Sequence, residues 1–168
     1  SLGAKVVMVA TGVLMFVWLI LHVAGNLAIF GGPVLMNQYA HFLKSTPELL
    51  WPMRIGLLVI FGLHVWSGIR LSRLNRQARP QAYAFRRWRK ATFAARTMFV
   101  TGLIVLAFVV FHLLHFTGGV ILSEFFANPP SDPMQPHADV YGMVVRSFKL
   151  PWVVAVYVIG VGLVGLHL

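Results

Sequence analysis

Residues 4–30 read AKVVMVATGVLMFVWLILHVAGNLAIF. After Lys5 the run carries no further charge, and one imidazole, His22, lies far along it. A helix needs about 20 apolar residues to cross ~30 Å of hydrocarbon, so this stretch reads as a membrane span. It is too long for the apolar region of a signal peptide, and no small-residue cleavage site follows it. A polar ring at membrane depth is costly, and an intramembrane ionisable residue is a functional hypothesis by default.

Three further segments repeat the pattern, at roughly 52–74, 95–120 and 151–168, with deep histidines His64, His112 and His167. Gly31-Gly32-Pro33 closes the first span, and Arg70, Arg73 and Arg76 close the second. Gly118-Gly119 stands near the end of the third, and Pro151 opens the fourth at a position where a helix tolerates proline. The fourth stops at Leu168 without a polar flank, so truncation there, or further helices, are expected. Of the 168 residues 58% are hydrophobic and only 11% charged, against about a quarter charged in soluble domains. The expected fold is an all-α integral membrane protein, a transmembrane helix bundle in one membrane-anchor domain spanning 1–168. Its basic loop falls at about 75–94 and its outer connections at about 31–51 and 119–150, the latter with a short helix near Val140 to Phe148.

Charge placement gives an orientation. Lys5, Arg70, Arg73, Arg76, Arg79, Arg86, Arg87, Arg89, Lys90 and Arg96 gather on one side, and the acids Glu48, Glu124, Asp132 and Asp139 on the other. The positive-inside rule places the N-terminus and the 70–96 loop in the cytoplasm. That loop serves as a topology and lipid-headgroup signal, as a docking surface for a cytoplasmic partner, or both. Nucleic acid is a poor explanation of the net charge of +10, because the cations cluster at one membrane face.

Depth sorts the histidines. At 1.5 Å per residue, His22 lies ~27 Å and His112 ~26 Å from the cytoplasmic ends of their parallel helices. His64 and His167, on helices running inward, lie nearer the cytoplasm. The depths therefore pair His22 with His112 and His64 with His167, on levels ~10–15 Å apart. Two neutral imidazoles per level are what a six-coordinate haem iron takes as axial ligands; a haem-free protein using them in helix–helix hydrogen bonds is the alternative. A repeat accompanies the outer pair: Thr11-Gly12 precedes His22 and Thr101-Gly102 precedes His112 at one spacing, T-G-x9-H. Small residues there admit a macrocycle or a neighbouring helix. Gly68 follows His64 by a turn, and Gly160, Gly162 and Gly165 line the approach to His167.

Several residues carry two readings. His115, one turn from His112, is an alternative ligand or a quinone or propionate partner. His41, in the outer loop, bonds a propionate or faces solvent. Asn26 is a further quinone candidate. Arg70 and Arg96 pair with propionates of the inner haem or snorkel at the interface. His137 reads as plain loop. With no cysteine, disulfides, iron–sulfur clusters and thiolate-ligated haem held by this chain are excluded. There is no nucleophile–base constellation, H-E-x-x-H, P-loop or dinucleotide fingerprint.

The chain resembles the dihaem cytochrome b membrane anchor of succinate:quinone oxidoreductases and fumarate reductases. The resemblance rests on Thr11-Gly12 through His22-Val23-Ala24-Gly25-Asn26, Tyr39-Ala40-His41-Phe42-Leu43 and His64-Val65-Trp66-Ser67-Gly68. It continues through Thr101-Gly102 to His112, and Tyr157-Val158-Ile159-Gly160 to His167-Leu168. It implies two haem b groups, the distal one on His22 and His112 and the proximal one on His64 and His167. It also implies an iron–sulfur subunit docked on the cytoplasmic face, a flavoprotein with covalent FAD beyond it, and quinone, usually menaquinone, as the membrane substrate. It implies five helices, the fifth beyond Leu168, and a setting in the bacterial cytoplasmic membrane. The cytochrome b subunit of a membrane-bound formate dehydrogenase or hydrogenase is the alternative within redox chemistry.

Overall fold

The computed structural model describes residues 2–78, 92–126 and 138–168. Arg79, Arg86, Arg87, Arg89 and Lys90 of the basic loop, and Asp132 and His137 of the second connection, lie outside the described residues. Among the described residues the regular structure is helical throughout. Helix α1 spans Leu2–Asn26 and passes through a 3-10 turn, Leu27–Gly31, into α2, Gly32–Ser45. Helix α3 spans Pro47–Gln77, and α4 spans Phe93–His112 and continues as a π-helical turn, Leu113–Thr117. A 3-10 turn at Ser123–Phe125 precedes the short α5, Val140–Phe148, and α6, Pro151–His167.

Local chemistry sets these boundaries. Gly32 has φ +86°, a conformation that costs a residue without Cβ little, and there the chain turns from α1 into α2. Pro33 and Pro47 each sit in a first helical turn, where the missing N–H has no helical partner to lose. The expected outer loop at 31–51 is therefore mostly helix, and His41, expected in a loop, stands on α2. The Thr92 side chain caps α4 by accepting from the Ala95 N–H at 3.2 Å. Asp139 caps α5 by accepting from the Gly142 N–H at 2.8 Å, and its other oxygen pairs with Arg146 at 3.4 Å. Asp139 also accepts from the Asn37 amide at 3.4 Å, and Asn37 accepts from the Tyr141 N–H at 2.9 Å, which ties α5 to α2.

Among the described residues three helical stretches are long and apolar enough to cross a membrane: Leu2–Ser45, Pro47–Gln77 and Phe93–Thr117. Helices α5 and α6 meet that test only together, as a pair bent by 96°. The molecule is thus an all-α membrane protein. Its exterior agrees: Val13, Leu58 and Val158 are 57%, 62% and 67% exposed on the outside of the helices. The buried residues are instead rich in polar groups, Thr11, Ser67, Thr101, His115 and Ser147. Lipid tails are as apolar as leucine, so small and hydrogen-bonding residues are what hold such helices together.

The helices associate as pairs. α1 packs along α3, α4 along α6, and α2 against α5, while α1/α3 and α4/α6 pack within themselves far more closely than against each other. At the α1/α3 seam the wholly buried Ser67 donates to the His64 carbonyl at 2.9 Å and lies 3.5 Å from the Met8 sulfur.

Candidate functional site: histidine pairs between two helix pairs

The four deep histidines meet across the division between the helix pairs. His64 of α3 faces His167 of α6 with ring centroids 6.3 Å apart and planes at 76°. His22 of α1 faces His112 of α4 at 5.8 Å and 87°. Each contact takes one ring from each helix pair.

The His64/His167 level is built symmetrically. Thr11 on α1 places its hydroxyl oxygen 3.1 Å from His64 Nδ1, and Thr101 on α4 places its own 3.2 Å from His167 Nδ1. Each hydroxyl is also directed at carbonyls of its own helix: Val7 at 2.7 Å for Thr11, and Thr97 at 3.1 Å for Thr101. With the hydroxyl proton spent on a carbonyl, the oxygen is left to accept from Nδ1–H. Both imidazoles then carry an unprotonated Nε2, the tautomer a metal ligand requires. The adjoining glycines make room: a Cβ on Gly12 would lie 3.5 Å from His64 Cε1, and one on Gly102 would lie 3.0 Å from His167 Cε1. The repeated Thr-Gly thus serves the histidine of the packed partner helix, at the other level from the histidine that ends its own motif. Since Thr11 touches His64 and stands eleven residues before His22 on α1, the two levels are about 16 Å apart along the helix.

The second level is asymmetric. His112 Nδ1 lies 3.3 Å from the Tyr157 hydroxyl of α6. His22 stacks on Trp18 at 4.7 Å and 15°, and its Nε2 accepts from the Asn26 amide at 3.3 Å. Asn26 also donates to the His22 carbonyl at 2.7 Å. That amide sits on the nitrogen a metal would use, and its side chain is exposed.

Two imidazole nitrogens bonding one metal at about 2 Å each would set the ring centroids about 6 Å apart, which both pairs match. Perpendicular ring planes are compatible with one shared axis. Among the described residues no group of three or more His, Cys, Asp or Glu side chains gathers as a metal site. A metal here would take two protein ligands and the rest of its coordination from a non-protein group. The residues therefore fit a macrocyclic iron cofactor, more closely at His64/His167 than at His22/His112.

The other expected residues fall as follows. His115 is 2% exposed and uses both ring nitrogens, Nδ1 with Tyr157 at 3.1 Å and Nε2 with Ser147 at 3.1 Å. Both ring nitrogens of His115 are thus engaged in side-chain hydrogen bonds. Arg70 lies over the Trp66 ring at 5.4 Å, and Arg96 donates from Nε to the Thr92 carbonyl at 3.4 Å. Both are at the His64/His167 end of their helices. His41 borders a small hollow with Asn37 and Lys44 at the α2/α5 end. Gly160 lies against the Phe108 ring, and a Cβ on Gly162 or Gly165 would meet nothing within 4 Å. Tyr157, Ser147 and Trp18 are site residues that sequence reasoning missed. The available signal was a lone phenol in the apolar run 151–168, which needs a partner when buried.

No family model, curated protein or solved structure matches this chain. Fold and site together define an all-α membrane protein with two imidazole pairs bridging two helix pairs.

Proposed function

We propose that the chain is a dihaem cytochrome b membrane anchor of a succinate:quinone oxidoreductase, passing electrons between an iron–sulfur subunit and membrane quinone. The observation that carries this reading is the meeting of imidazoles across the helix pairs at two levels, at metal-bridging separations of 6.3 and 5.8 Å. His64 and His167 would hold one haem b and His22 and His112 the other. When bound, bis-imidazole haem supplies reversible one-electron chemistry.

The protein's own part is positional. Thr11 and Thr101 hold the proton on Nδ1 and leave Nε2 directed between the helix pairs. Trp18 braces His22 by stacking, and Tyr157 receives the Nδ1–H of His112. Gly12 and Gly102 keep the helices close beside the rings. Arg70 and Arg96, at the His64/His167 end, are placed for propionates or for the surface of an iron–sulfur partner, and His41 and Asn26 remain quinone or propionate candidates at the other end. The positive-inside rule puts the N-terminus and the iron–sulfur partner on the cytoplasmic side of a bacterial inner membrane. In this reading α1, α3, α4 and the bent α5–α6 unit form a four-span bundle, and menaquinone is the expected quinone.

The test is a reduced-minus-oxidised visible spectrum of the purified chain with haem quantified per polypeptide. Two b-type haems are expected, and one should be lost in His64→Ala or His167→Ala. Absence of b-type bands would overturn the reading. Co-purification of a subunit with covalent flavin and succinate-oxidising activity separates a succinate enzyme from a formate dehydrogenase or hydrogenase subunit.

A further inference from the structure

The His22/His112 level carries a hydrogen-bonded extension that the other level lacks. From His112 Nδ1 it runs to the Tyr157 hydroxyl at 3.3 Å, to His115 Nδ1 at 3.1 Å, and from His115 Nε2 to the Ser147 hydroxyl at 3.1 Å. His115 and Ser147 are 2% and 0% exposed. Three features of the fold assemble this line. The π-helical turn at Leu113–Thr117 interrupts α4 where His115 stands, and such turns are frequent at functional sites. The 96° bend between α5 and α6 brings Ser147 back over His115. Phe116 stacks on the His115 ring at 3.9 Å and 20°, and Phe148 stacks on Phe116 at 6.2 Å and 20°.

The chain has a direction once His112 ligates through Nε2. His112 must then carry its proton on Nδ1 and donate to the Tyr157 oxygen. The phenol proton is left to donate to His115 Nδ1, so His115 is protonated on Nε2 and donates to Ser147. Every donor points away from His112, and hydrogen bonds in line polarise one another. At His64 and His167 the Nδ1–H meets a threonine oxygen whose own proton goes to a backbone carbonyl, and the line ends there. Outer-shell hydrogen bonds raise the basicity of a ligating imidazole, so the two levels differ in how strongly their rings donate.

We propose that Tyr157, His115 and Ser147 are positioning residues that orient His112 and strengthen its donation to a bound iron, giving the two levels different reduction potentials. This rests on the bis-imidazole reading above. It extends the part that Tyr157 plays in that reading to His115 and Ser147, which the reading leaves without a role.

The experiment is a redox titration of the full chain purified from membranes, followed in the visible spectrum and by electron paramagnetic resonance. The wave of the His22/His112 haem is assigned as the one that remains in His64→Ala. Tyr157→Phe keeps the ring and removes the acceptor of His112 Nδ1–H. The midpoint potential of the His22/His112 haem should rise and its resonance shift, while the His64/His167 haem keeps both. Ser147→Ala, two hydrogen bonds further out, should move the same haem in the same direction by less, and it is read if Tyr157→Phe does not accumulate. Unchanged potentials in a variant that retains both haems would overturn the proposal, as would equal movement of the two waves. A wild-type chain that binds no haem fails the parent reading and this one together, whereas two haems with unmoved potentials fail this one alone.

Discussion

Gly12 and Gly102 occupy equivalent places in the two helix pairs, and their alanine variants should behave oppositely. A methyl at Gly12 would sit 3.5 Å from His64 Cε1, an ordinary contact, whereas one at Gly102 would sit 3.0 Å from His167 Cε1. The second is too close, so the ring must retreat by a few tenths of an ångström. The Thr101 hydroxyl holds that ring by Nδ1 at 3.2 Å, and His64 faces it at 6.3 Å. Retreat therefore stretches a hydrogen bond or shortens the spacing between the imidazoles. Each variant gains the same helix propensity, about 1 kcal/mol on the scale for soluble helices. Comparing the two cancels that gain and leaves the overpacking cost, about 1–3 kcal/mol. The assay is reversible unfolding of the two purified variants in one detergent, followed by circular dichroism, with haem content measured alongside. Gly102→Ala should be the less stable by that amount and should lose the His64/His167 haem more readily. Equal stability and equal haem retention would refute the packing argument.

Thr11→Val and Thr101→Val keep the side-chain shape and remove the oxygen facing Nδ1. Each should weaken haem retention at the His64/His167 level by about 10–100-fold, the usual effect of losing an outer-shell partner, as read by haem transfer to an acceptor protein, with the other haem unaffected. Asn26→Ala frees His22 Nε2 and should leave haem stoichiometry unchanged or tighten the His22/His112 haem in the same assay; loss of that haem would mean Asn26 supports the site. Asp139→Ala removes the α5 cap, a change worth about 0.5–2 kcal/mol, together with the contacts to Asn37 and Arg146. It should raise amide exchange in α5 before any change in α1 or α3.

The histidine pairing is legible in the sequence because it depends on two robust quantities, helix rise and the alternating direction of successive spans. Once the four apolar runs are placed, His22 can reach only His112 and His64 only His167. The Thr-Gly repeat is equally visible, but its use is not. Thr11 and His64 are 53 residues apart, and nothing local says that a threonine on one helix faces the ring of the next. Sequence reading also takes Gly-Gly-Pro at 31–33 as the close of the first span, whereas Pro33 opens α2, and a proline in a first turn looks the same in either case. The Tyr157–His115–Ser147 line depends on a π-helical turn and a sharp bend, which no hydrophobic period encodes. The short α5 is readable because Asp139 and the amphipathic run after it form a capped helix start.

Each imidazole pair draws one ring from α1/α3 and one from α4/α6, so neither helix pair owns a complete site. Whatever bridges the rings also joins the two halves of the protein. Its binding free energy then enters the assembly equilibrium directly: at a free concentration 100 times its dissociation constant it would add about 2.7 kcal/mol to the joined state. In the proposed dihaem reading, cofactor binding would therefore raise the fraction of the chain whose two halves are joined.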